Sequence, residues 1–188
     1  MSQATVTAIP RAQRADIPTL VPVDTAPDAG QMLVALHERV ERQFRAYEDA
    51  EGSHVRQRRA VAAIARVLAT HVTVEDELVY PALRAQTGRH DGEVERQLQQ
   101  DHVLDLLLVE LGGMIPAERG YDAKVRVLMQ FFRQHAHDAQ ALVAPELHRR
   151  MDPAEREVLA RRLLERIGEL ETKPRFRVPR VLSPRRGR

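Results

Sequence analysis

Four stretches of this chain set apolar residues three and four positions apart, and each stripe is interrupted by one histidine. That spacing predicts helices that are apolar on one face. After Pro27-Asp28, where Asp28 can cap a helix, the first stripe reads Leu33, Leu36, His37, Val40, Phe44 and Tyr47, and it ends at Gly52-Ser53. The second runs from His54 to Gln86 and presents Val61, Ile64, Leu68, His71, Glu75, Leu78 and Ala82. Pro81 is expected to bend or break it, because proline removes an amide donor and crowds the preceding turn. Gly88 to Gly92 make a turn. The third stripe, Glu93 to Leu111, presents Val94, Leu98, His102, Asp105 or Leu106, and Val109. Gly112-Gly113 and Pro116 form a loop. The fourth, Asp122 to Arg150, presents Val125, Leu128, Phe132, His135, Ala139 and Leu142, with Pro145 near its end.

Long helices joined by short loops predict an all-α fold, an antiparallel up-down four-helix bundle. No strand pattern is visible. Asp152-Pro153 starts a fifth, amphipathic helix that reaches Glu171 and carries Val158, Leu159, Leu163, Ile167 and Leu170. It is expected to pack outside the bundle. Residues 1–27 are Pro-punctuated and aperiodic and read as a disordered arm; residues 28–150 form the bundle, 151–172 the added helix, and 173–188 a basic disordered tail.

Composition narrows the chemistry. There is no Cys, which excludes disulfides and thiolate metal ligation. No apolar run approaches the ~20 residues needed to span a bilayer, and the N-terminal stretch lacks an apolar signal segment, so no membrane association is expected and a cytoplasmic location is. The formal net charge is +2, but Lys173 to Arg188 hold seven basic residues and no acidic one, leaving the rest of the chain at −5. A solvated tail on an acidic domain is the favoured reading, and nucleic acid the less favoured partner.

One inward histidine is usually a hydrogen-bonded core residue. Four, one per helix, with Glu75 one turn beyond His71, would leave several buried polar atoms without partners, at roughly 1–3 kcal/mol each. A metal ion takes their lone pairs at once. His37, His71, Glu75, His102 and His135 are therefore candidate ligands, and imidazole with carboxylate suits iron, manganese or zinc. Asp76, Asp101 and Asp105 are candidates to orient the imidazoles. Tyr80 is either a residue of that kind, or a gate, or a ring packed between helices. His54, His90, His137 and His148 read as surface or helix-end residues.

The segment His71 to Leu83, HVTVEDELVYPAL, resembles the H-x-x-x-E segment of the hemerythrin-like (HHE) family. Asp101 to Leu111, DHVLDLLLVEL, resembles the family's third-helix histidine segment, and Leu36 to Phe44 its first. His135 to Leu147 is similar to the second H-x-x-x-E segment, since His135 precedes Pro145 by the same interval as His71 precedes Pro81. The resemblance covers residues 30 to 150. It implies a di-iron centre, with mononuclear iron or manganese as alternatives, bridged by a carboxylate from each H-x-x-x-E. Glu75 supplies the first bridge. The second position is Ala139, and Asp138 is the candidate replacement. Oxygen carriers of the family place a further histidine where this chain has Leu106, which argues against reversible carriage.

The expected function is a hemerythrin-like non-heme iron protein that binds or activates dioxygen, peroxide or nitric oxide. The rivals are an oxidase or oxygenase acting on a small organic substrate, and a metal-free helical interaction protein.

Overall fold

A computed structural model of the chain describes residues 28–87 and 92–172; the expected arm, the basic tail, His90 and most of the Gly88–Gly92 turn lie outside them. The described residues are helical and contain no strand. Helix α1 spans Ala29–Glu48 and α2 His54–Val74. A π-helical turn, Glu75–Val79, carries α2 into α3, Tyr80–Thr87. Helix α4 is Gly92–Gly112 and α5 Tyr121–Asp138. A second π turn, Ala139–Val143, leads into α6, Ala144–Arg150, and α7 is Pro153–Thr172.

Local chemistry sets the helix ends. Asp28 caps α1, its carboxylate accepting from the amides of Gly30 (2.9 Å) and Gln31 (3.3 Å). Ser53 caps α2, following Gly52, whose φ of +76° turns the chain between helices at no side-chain cost. Asp152 and Glu155 form a reciprocal box at the start of α7, each carboxylate accepting from the other's amide at 2.8 and 2.9 Å.

Side-chain pairs give the directions of the helices. Down α1, Tyr47, Glu41, His37 and Gly30 meet Asp122, Arg133, Gln140 and Ala144 in turn, so α1 runs antiparallel to α5 and α6. Glu110 and Gln100 on α4 meet Lys124 and Asp138 on α5, also antiparallel. Tyr80 and Arg84 meet Asp101 and Glu95, which makes α3 antiparallel to α4. Helix α7 lies outside this arrangement, along α1 and α2, tied by Arg156 to Asp28 and by Arg166 to Glu77.

Neither proline ends its helix. At Pro81 and Pro145 the amide is missing and the ring crowds the carbonyl four residues back. The π turn relieves this by letting the amide of the preceding residue reach back five positions, Tyr80 to the Glu75 carbonyl and Ala144 to that of Ala139. Each π turn inserts one residue and shifts the buried face by one. Beyond Glu75 the buried residues are Leu78, expected there, together with Val79, Tyr80 and Leu83, while Ala82 is only half-buried; beyond Ala139 it is Val143 that is buried, while Leu142 is exposed.

The core divides into two apolar layers. One, around the start of α1, contains Leu33, Leu36, Val79, Leu83, Val143, Leu147 and the inner residues of α7, Leu159 and Leu163. The other contains Phe44, Ile64, Leu68, Leu104, Leu128 and Phe132. Val158 on α7 faces solvent instead. Phe44 is fully buried and meets Phe132 edge to face at 5.4 Å. Phe44→Ala is therefore expected to cost about 3–5 kcal/mol of stability, read from the midpoint of a urea or guanidinium unfolding curve; a shift below about 1 kcal/mol would show that this layer can collapse around the gap.

Candidate metal centre

Between the two apolar layers lies a polar one. His37 comes from the middle of α1, His71 from the last turn of α2, Glu75 from the first position of the π turn, and His135 from the last turn of α5. Their donor atoms all lie within 4.8 Å of one another. His71, Glu75 and His135 are fully buried and His37 is 3 % exposed. The Nε2 atoms of His71 and His135 stand 3.0 Å apart; Glu75 Oε2 lies 3.1 Å from the first and 3.3 Å from the second, and Oε1 3.8 Å from His37 Nε2.

These separations fit a shared cation. Donors bound to one ion at about 2.0–2.2 Å stand roughly 3.0–3.5 Å apart. Two imidazole nitrogens 3.0 Å apart, both close to the same carboxylate oxygen, cannot all be satisfied by the one or two protons available. Among the described residues His37 Nε2 and Glu75 Oε1 have no hydrogen-bond partner at all. Buried polar atoms are paired as a rule, so orphans pointing at one spot mark a missing partner.

Electrostatics points the same way. Burial pushes the His71 imidazole down to about 4, against the opposing pull of Glu75, so its ring is neutral and offers a lone pair. Burial would raise the Glu75 carboxyl, but His71 and His135 override it and hold it well below the usual range. Burial lowers the His135 imidazole too; there the charge of Glu75 and its hydrogen bond win, with Asp101 and Asp138 adding to them, and the ring ends above its ordinary value.

Around the donors stands a second ring of contacts. The Tyr80 hydroxyl lies 3.0 Å from Glu75 Oε2 and 2.9 Å from Asp101 Oδ2. The one hydroxyl proton is shared between the two carboxylates, and burial and the charge of Glu75 push the Asp101 carboxyl above the usual carboxylate range. Asp101 Oδ1 also stands 3.5 Å behind His135 Nδ1. Gln140 lies 3.3 Å from His37 Nδ1. Phe132 is the apolar floor, its ring 5.8, 5.6 and 6.0 Å from those of His37, His71 and His135.

Not every candidate comes to this point. The structure brings together His37, His71, Glu75 and His135 and leaves His102 and Asp138 outside. On α4 the expected Val94 is buried and Leu98 half-buried, but from there the reading that turned His102 inward is off by one position. Val94, Gln97, Asp101, Leu104, Leu108 and Leu111 form the buried face, and His102 is exposed, as are Asp105 and Leu106. The physical reason is that Asp101 and Gln97 carry the inward phase, and polar residues on an inner face disguise it. Asp138 is held elsewhere. Its carboxylate accepts from Gln134 (2.8 Å) and Gln100 (3.0 Å) and pairs with Arg96 at 3.1 Å. Asp76 is exposed. Gln97, fully buried, and Gln140 escaped notice because a glutamine on a stripe carries no signal of its own.

The profile of the hemerythrin HHE cation-binding domain matches residues 28–147. The chain belongs to that family. No curated protein and no solved structure matches it. In this hemerythrin HHE domain the two π turns follow the two histidines of the H-x-x-x-E segments, and the second segment carries Ala139, 1 % exposed, where the first carries Glu75.

The placement of α4 yields a direct test. His102→Ala is expected to change stability by no more than about 0.5 kcal/mol. Tyr80→Phe, which leaves two buried carboxylates without their shared hydroxyl, should cost about 1–3 kcal/mol. Unfolding curves of the two variants compare them, and the reverse order of effects would mean that α4 is turned the other way.

Proposed function

We propose that this hemerythrin HHE domain holds one iron ion through the Nε2 atoms of His37, His71 and His135 and the carboxylate of Glu75, and that the centre binds or activates dioxygen, peroxide or nitric oxide. The observation that carries the reading is the convergence of four buried donors from three helical segments, two of them with orphaned atoms. The family supports a cation, and within it iron is the metal we favour. A di-iron arrangement would want a second bridging carboxylate and an imidazole from α4. Ala139 and the outward His102 supply neither, and four donors suffice for one ion.

Bound iron would supply open coordination positions and a one-electron couple to a small ligand. The rest falls to the protein's own residues. Phe132 and the two apolar layers exclude water. The Tyr80 hydroxyl holds a proton 3.0 Å from Glu75 Oε2 and 2.9 Å from Asp101 Oδ2, at the edge of the centre. Asp101 beside His135 Nδ1 and Gln140 beside His37 Nδ1 restrict how those rings turn and so aim Nε2 inward.

Closure favours small ligands over an organic substrate. Three of the donors are wholly shielded and the fourth nearly so, which weighs against a bulky organic substrate. The orphaned atoms weigh against a metal-free interaction protein.

Full-length protein produced with iron supplied is expected to carry one iron per chain by mass spectrometry of metals. His71→Ala and Glu75→Ala should each reduce this at least about tenfold and lower the melting temperature relative to the loaded parent, whereas His102→Ala retains the iron. Unchanged iron in both ligand variants, or a parent that takes up only zinc, sinks the reading. Nitric oxide added to the ferrous-loaded parent should produce a visible absorption band that His71→Ala lacks.

A further inference from the structure

Arginines and carboxylates are matched over most of this surface. Arg84 pairs with Glu95, Arg96 with Glu93, Arg126 with Asp122, Arg133 with Glu41, and Arg166 with Glu77. The α1–α2 face breaks the pattern. Helix α2 carries Arg56, Arg58, Arg59 and Arg66 and not one acidic residue.

Part of that face is concave. Between α1, α2 and the end of α7 lies a groove of about 430 Å³ lined by Arg39, Arg42, Gln43, Arg66, Thr70 and Glu171, among others. Among the described residues that line it, Glu171 is the only carboxylate and is paired with Arg39, which leaves this lining a surplus of two positive charges. Arg42 and Arg66 are exposed, and among the described residues neither guanidinium has a carboxylate partner. Bringing such groups to one groove is unfavourable unless an anion offsets their repulsion.

We propose that this groove binds a small, multiply phosphorylated anion. Guanidinium forks match phosphate oxygens two at a time, and each terminal phosphate carries about −1.5 to −2 charge, enough to answer the surplus. The volume suits a ligand the size of a few linked phosphates. An exposed pair such as Arg39–Glu171 is worth only ~0–1 kcal/mol, so Arg39 can turn to an incoming phosphate at little cost. This site is separate from the buried centre and does not depend on its occupant.

The test is isothermal titration calorimetry of the full-length protein with inorganic tripolyphosphate at low ionic strength. One-site binding is expected, weakened at least about tenfold in Arg42→Gln/Arg66→Gln and further weakened by added salt. Both side chains are exposed, so the fold should survive, which circular dichroism checks. Arg119→Gln, another exposed arginine with no described partner but outside the groove, should bind like the parent. Heat from tripolyphosphate stripping iron would be the same in all three proteins, so an unchanged signal in the double variant overturns the proposal. Equal losses in the double variant and in Arg119→Gln would reduce it to general charge attraction, and no binding of tripolyphosphate alongside binding of a DNA duplex would replace it with a nucleic-acid surface.

Discussion

Everything in this bundle is arranged around one expensive act, the complete burial of the Glu75 carboxylate. An isolated charge taken out of water costs several kcal/mol even after relaxation. The protein offsets this with three imidazoles at 3.1, 3.3 and 3.8 Å and a tyrosine hydroxyl at 3.0 Å. Those groups are polar too, so they need partners of their own. The need is passed outward to Asp101, Tyr80 and Gln140. Among the atoms left without a hydrogen-bond partner, His37 Nε2 and Glu75 Oε1 belong to the clustered donors. A polar layer built this way is stable as a whole and poorly stable in parts, because removing any member strands the next.

The two π turns let the bundle hold that layer and still close over it. Glu75 and Ala139 each begin a turn whose extra residue shifts the buried face by one position just beyond the centre. The donors thus sit on faces set by α1, α2 and α5, while Val79, Leu83, Val143 and Leu147 seal the layer from above. Pro81 and Pro145 fix where this happens, since their rings forbid the ordinary ladder at those points and nowhere else. The same feature explains why Leu142 faces solvent although a strict 3.6-residue period turns it inward.

The helices, their order and their ends were legible because apolar spacing, caps and glycines are local signals, as at Asp28, Gly52-Ser53 and Asp152-Pro153. Three of the four histidines were placed correctly for the same reason: His37, His71 and His135 lie among strong apolar neighbours that fix the phase. On α4 the signal was divided. Gln97 and Asp101 occupy inner positions, Leu106 an outer one, and a period read from hydrophobicity alone rotates the helix by one residue and exchanges Asp101 for His102. What local pattern cannot register is a buried polar residue satisfied only by another helix. Asp101 is such a residue, and only the Tyr80 contact across to α3 reveals why it is inside.

The exchange at residues 101 and 139 also has a consequence for charge. A centre of three neutral imidazoles and one carboxylate brings a formal charge of −1 to whatever cation it holds. Ala139 offers no second carboxylate. In so dry a layer each uncompensated unit of charge is costly. A divalent ion would leave a net charge of +1 and a trivalent ion +2, so the pocket favours the lower oxidation state more than one with two carboxylates would. On this reasoning the absence of a second carboxylate does more than reduce the number of donors: it matches the cluster better to a divalent than to a trivalent cation.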